Sequence, residues 1–101
     1  MSEKDTTQIL RTELLSNYPN PFNPSTMISF DIKNDGPVRL EVFNLKGQKV
    51  TTLVDEDKTS GRYQVAWNGT DTQGRDVGTG IYFYRLTTND TSSTRKMLLM
   101  K

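Results

Sequence analysis

The chain has 101 residues, 33% of them apolar, with thirteen Lys and Arg against twelve Asp and Glu and neither cysteine nor histidine. One domain fits that length, and the missing thiols and imidazoles exclude disulfide scaffolds, Cys/His zinc sites and Ser-His-Asp or Cys-His nucleophilic chemistry. A net charge of +1 gives no footprint for a nucleic acid, and no apolar run approaches the roughly 20 residues that cross a bilayer.

Residues 1–13 read as a linker or disordered tail: they are polar apart from Ile9-Leu10, show no sustained period and lack a signal peptide's apolar core. The module is expected to come from a longer polypeptide, and the folded domain to span 14–101. Next comes Asn17-Tyr18-Pro19-Asn20-Pro21-Phe22-Asn23-Pro24-Ser25-Thr26, the most unusual stretch of the chain. Its prolines fix φ, push their predecessors into extended backbone and remove amide donors. A segment of this kind cannot lie inside a sheet. Tyr18 and Phe22, its only large apolar groups, are expected to pack against a sandwich edge and seal its bottom. The same segment could also dock a partner.

From there onward, period-two alternation recurs. Ile28, Phe30 and Ile32 share a face opposite Ser29 and Asp31. Val38, Leu40 and Val42 repeat the pattern, with Arg39 and Glu41 turned to water. Tyr63, Val65 and Trp67 make a third row beside Gln64 and Ala66. Ile81 to Leu86 is apolar on both faces except at Arg85, as in a central strand covered on both sides. The proline-rich stretch is the natural cover for whichever aromatic pair faces outward. Turn chemistry separates the rows at Asn34-Asp35-Gly36-Pro37, Leu45-Lys46-Gly47-Gln48, Asn68-Gly69, Asp71-Thr72-Gln73-Gly74 and Asn89-Asp90. Gly47 is expected to take a positive φ, and Asp71 to Gly74 a type I turn with a glycine bulge. Asp55 to Gly61 reads as a charged loop. The spacing predicts an all-β, antiparallel sandwich of about seven strands, Ig-like or fibronectin III-like.

Few residues suggest chemistry. Asp71 and Asp76, with Asn68, could offer oxygen ligands to calcium, but Asp and Asn are also ordinary residues of such turns. Trp67 with Tyr63 could form a sugar-stacking platform, though Trp67 ends an inward row and reads as core. The final Lys96-Met97-Leu98-Leu99-Met100-Lys101 is a last strand and also the simplest handle a receptor could read. No cofactor is expected.

Several of these pieces, in order, resemble one family. The proline-rich opening from Asn17 to Thr26 and Ile28-Ser29-Phe30 are similar to the start of the C-terminal sorting domains of the type IX (Por) secretion system. The likeness continues through Val42-Phe43-Asn44-Leu45-Lys46-Gly47-Gln48-Lys49-Val50, Leu53-Val54, Gly61-Arg62-Tyr63 and Trp67-Asn68-Gly69. It ends on Gly80-Ile81-Tyr82-Phe83-Tyr84-Arg85-Leu86 and Arg95 to Lys101. The resemblance implies a non-catalytic Ig-like domain that follows a secreted cargo domain in the same chain. Its implied partners are an outer-membrane translocon and a sortase-like peptidase, and its implied route is the periplasm, then the cell surface or medium. Lys96 to Lys101 would be the partner-recognition residues, on a framework of Asn17, Tyr18, Pro19, Asn20, Pro21, Phe22, Asn23, Pro24, Gly47, Gly61, Tyr63, Trp67, Gly80, Tyr82, Tyr84 and Leu86. The long Trp67–Val77 stretch also looks like the Ig-like domain of flagellar hook-capping proteins. A structural domain of that type, or a carbohydrate-binding accessory module, is the alternative.

Overall fold

The computed structural model describes residues 9–101, so the expected tail lies outside the described residues over positions 1–8. Seven strands follow: β1 (Glu13–Tyr18), β2 (Thr26–Ile32), β3 (Gly36–Asn44), β4 (Lys49–Lys58), β5 (Gly61–Trp67), β6 (Gly80–Thr88) and β7 (Ser92–Leu99). They form two antiparallel sheets, ordered β1-β2-β5 and β4-β3-β6-β7, so the all-β sandwich is what the chain builds.

The alternating rows supply the core. Ile28, Phe30 and Ile32 from β2 meet Val38, Leu40 and Val42 from β3 and Tyr84 and Leu86 from β6. Burying side chains of this size contributes roughly 1.5–3 kcal/mol each, the main force holding the sheets together. Tyr84 adds a polar tie: its hydroxyl donates to the Leu15 carbonyl oxygen at 2.9 Å, joining β6 to β1 across the sandwich. Gly47 takes φ 86° in the β3–β4 turn, as expected. In the β5–β6 connection the Asp71 N–H donates to the Arg75 carbonyl at 2.8 Å, and the Gly74 N–H to the Asp71 carbonyl at 2.9 Å.

Three expectations need correction. Glu41 is buried, at 7% exposure, rather than turned to water. Its carboxylate lies 3.6 Å from Arg85 Nη2 and 3.8 Å from Lys49 Nζ, so two cations cover it on the sheet's outer face. Asp31 is similarly buried, accepting from Arg62 Nε at 2.7 Å and Nη2 at 3.0 Å. The residues from Asp55 to Lys58 form no loop but continue β4, paired from Asp55↔Arg39 to Lys58↔Gly36. Only Thr59 and Ser60 lie between β4 and β5. Tyr18, finally, does not seal the sandwich: it is 80% exposed, and of the two rings only Phe22 enters the core.

Strand β6 is central in its sheet, between β3 and β7. Tyr82 and Tyr84 point inward and Ile81 outward, with Phe83 half-buried. Ile81 is left exposed, and the proline-rich segment instead turns Phe22 inward onto Trp67, which meets Tyr82. Burial pushes both tyrosine phenols above their ordinary value. Their neutral form is therefore favoured by the fold, and that stability is complete below about pH 10, where an unfolded phenol ionises, and declines as pH rises further. Urea midpoints should fall between pH 9 and pH 11. Tyr84→Phe should cost about 1 kcal/mol at neutral pH, from the lost bond to Leu15, and should flatten the alkaline decline.

Candidate functional site: the proline-rich opening on the terminal strand

A strand at a sheet edge leaves alternate N–H and C=O groups without partners. β7 is such a strand, and the segment that covers its last residues is the prolyl stretch following β1. Pro19, Pro21 and Pro24 bring no amide donors, so the contact depends on the residues between them. The Phe22 N–H donates to the Leu98 carbonyl at 3.0 Å, and the Phe22 carbonyl accepts from the Met100 N–H at 2.9 Å. The Asn20 side-chain oxygen accepts from the Leu98 N–H at 3.0 Å. Phe22 and Leu99 thus form a parallel bridge between two ends of the domain.

Aromatic packing fixes this clip from within. The Phe22 ring sits 5.7 Å from Trp67, and Trp67 meets Tyr82 edge-on at 5.3 Å. Trp67 is 1% exposed and its Nε1 donates to the Thr70 carbonyl at 2.9 Å. It is a core residue with no face for sugar stacking. Gly69 lies against the same place with φ +75°, where a Cβ would stand 3.2 Å from the Pro24 carbonyl oxygen. Asn17 holds the start of the loop: its Nδ2 donates to Thr26 Oγ1 at 3.0 Å, and the Thr26 hydroxyl donates to the Pro19 carbonyl at 2.9 Å.

The candidate recognition residues divide by side. Met97 and Leu99 are in the core, Leu98 is half-buried, and Lys96, Met100 and Lys101 are exposed. The Lys101 N–H donates to Thr79 Oγ1 at 3.0 Å and its Nζ lies 3.8 Å from Asp76. The framework residues divide too. Asn17, Asn20, Phe22, Pro24, Trp67, Gly80 and Tyr82 gather around the clip, whereas Gly61 and Tyr63 sit at the far end of β5, where Tyr63 stacks on Phe30 at 5.6 Å. Gly47 belongs to the β3–β4 turn, and Tyr18, Pro19, Pro21 and Asn23 face solvent. Tyr84 and Leu86 lie deeper in β6. Sequence reasoning missed the Asn17–Thr26 pair, whose only signal is an Asn and a Thr flanking a prolyl loop.

Among the described residues, no group of three or more His, Cys, Asp or Glu could hold a metal ion. The Asp71 carboxylate accepts from the Arg75 and Gln73 amides, at 3.0 and 2.9 Å, and from Arg75 Nε. The Arg75 amide above all holds that carboxyl below the ordinary carboxylate range.

The described residues thus form a two-sheet sandwich that joins its own opening to its last strand. Family comparison identifies it: the model of the secretion system C-terminal sorting domain matches residues 16–100, and the chain belongs to that family. Among the solved structures that share the fold are three from bacterial proteins. One is dimeric latent PorU from Porphyromonas gingivalis, with TM-score 0.72 and 20% identity over 88% of this chain and 9% of that one. A second is PorZ, described as an essential surface component of the type IX secretion system of the same organism, with TM-score 0.56 and 17% identity over 85% of this chain and 11% of that one. The third is FlgD from Pseudomonas aeruginosa, with TM-score 0.58 and 16% identity over 92% of this chain and 74% of that one. The chain therefore spans about a tenth of the length of PorU and PorZ. No curated protein matches it.

Phe22→Ala should cost about 3–5 kcal/mol, as for other buried aromatic truncations. It should also speed hydrogen exchange at the Leu98 and Met100 amides more than at Leu40. Asn20→Ala should cost about 1 kcal/mol and expose the Leu98 N–H alone. Denaturant titration and amide exchange by NMR check both.

Proposed function

We propose that this domain is a non-catalytic C-terminal signal that takes its parent protein through the type IX secretion system to the cell surface or the medium. The observation that carries this reading is the clip. The two ends of the family-matched stretch are hydrogen-bonded to each other through Asn20, Phe22, Leu98 and Met100. A receptor would accordingly meet a folded composite surface, with β7 held in register by the prolyl segment. Recognition would fall on the outward residues Lys96, Leu98, Met100 and Lys101. Met97 and Leu99 would serve by anchoring the strand in the core.

In this role the domain makes and breaks no bonds. Its partners are an outer-membrane translocon, a sortase-like peptidase that cuts upstream of β1, and the cargo domain preceding it in the same polypeptide. Transit runs through the periplasm, where a chain without cysteine needs no disulfide formation. The hook-cap alternative has one favourable observation, the FlgD likeness together with the long β5–β6 connection. The proline-rich opening and the family match favour sorting.

Residues 13–101 fused behind a periplasmic reporter should carry it out of a host that possesses the type IX system. A reporter that stays in the periplasm, although the domain folds, would overturn the proposal. Deleting Lys96–Lys101 is a poor probe because it removes Met97 and Leu99 from the core. Substituting the exposed Met100 and Lys101 by Ser should cut export without lowering the unfolding free energy, read from urea titration, by more than about 0.5 kcal/mol.

A further inference from the structure

Both sheets carry polar pairs and apolar groups on their solvent faces, the three-stranded one with exposed Met27 opposite Tyr18 and Ala66. On the three-stranded sheet, outward groups bond to each other, as in Arg62–Asp31 and Gln64–Ser29. On the four-stranded sheet, the strand register brings apolar side chains together at one end. Phe43 stands opposite Phe83 across β3 and β6, and Ile81 stands opposite Leu98 across β6 and β7. Ile81 is exposed, and the other three are half-buried. Cations border this cluster. Lys96 is exposed opposite Phe83, and the Arg85 guanidinium lies 4.4 Å from the centre of the Phe43 ring. The carboxylate within this end of the face, Glu41, is already covered by Arg85 and Lys49.

The geometry points to this face as a docking surface for an acidic protein surface with exposed aliphatic groups, belonging to the export machinery. The inference rests on the sorting role proposed above and assigns part of the recognition to β3 and β6, outside the terminal strand. Charge selects the occupant. A second copy of this chain, docked through a two-fold axis at this cluster, would set Lys96 against its own equivalent. The apolar groups lie flush in a sheet, without the projecting amphipathic helix that inserts between lipids. A partner carrying Asp or Glu around an apolar centre would complement both features, with steering from the cations and burial from the four apolar groups.

The test uses the reporter fusion and compares Lys96→Glu, Lys96→Arg, a combined Ile81→Ser/Phe83→Ser change and, on the opposite sheet, Gln64→Glu. Folding of each is checked by urea midpoint, and Lys96→Gln replaces Lys96→Glu if the latter is unstable. Export should fall at least tenfold for Lys96→Glu and for the serine pair, recover in part for Lys96→Arg relative to Lys96→Glu, and stay within twofold for Gln64→Glu. A loss with Lys96→Glu while the serine pair exports normally would confine recognition to β7 and overturn the docking surface. Equal export by all folded variants would overturn the docking surface and leave the sorting role standing. An intact fusion that is not exported would overturn the sorting role, and the docking surface with it. Co-sedimentation of the domain with phosphatidylglycerol vesicles that is lost in Lys96→Glu would also overturn it, in favour of an anionic lipid surface.

Discussion

An edge strand that closes a sheet must either leave its backbone polar groups to water or find a partner for them, and in this domain the partner is a segment in which Pro19, Pro21 and Pro24 carry no amide donor. Proline spacing leaves Phe22 in a position to give one N–H and one C=O to β7, while Asn20 lends a side-chain oxygen to the next amide. The rest of that end of the sandwich is arranged around the same residue. Trp67 and Tyr82 form the floor on which its ring rests, and Gly69 leaves room for the Pro24 carbonyl. The opening of the domain and its final strand are thereby one structural unit, though 78 residues separate Asn20 from Leu98.

Much of the fold was legible because inward rows of Ile, Val, Leu and Phe alternate with polar residues, and a strand shows its faces at period two. The misreadings have a common physical source: polarity alone does not say whether a group is solvated. Glu41 and Asp31 occupy outward positions as the alternation requires, but arginines lie over them and remove them from water. The Asp55–Lys58 stretch looked like a loop because it is charged. It is the end of an outer strand, where charge discourages pairing with another chain. Tyr18 and Phe22 could not be told apart by composition, since the loop turning between them sends one ring out and the other in.

The site was less legible than the fold. Lys96 to Lys101 reads as a uniform basic and apolar run, yet a strand presents only alternate residues to any partner, and the inward ones, Met97 and Leu99, are spent on the core. The link between this run and the prolyl segment rests on backbone groups, which every residue carries and which leave no compositional trace. Family likeness named both segments without indicating that they touch. Contact between them is a property of the folded chain.

The bridge at Phe22 and Leu99 is parallel, so the chain passes through both partners in the same direction. Tension applied between the entry at Glu13 and the exit at Lys101 would draw Phe22 backward and Leu99 forward. The hydrogen bonds of the clip would then bear load side by side, in shear, rather than opening one after another like a zipper. A polypeptide hauled by one end past a barrier would find in this joint a mechanical stop, strongest along the axis of pulling and weak to a sideways peel.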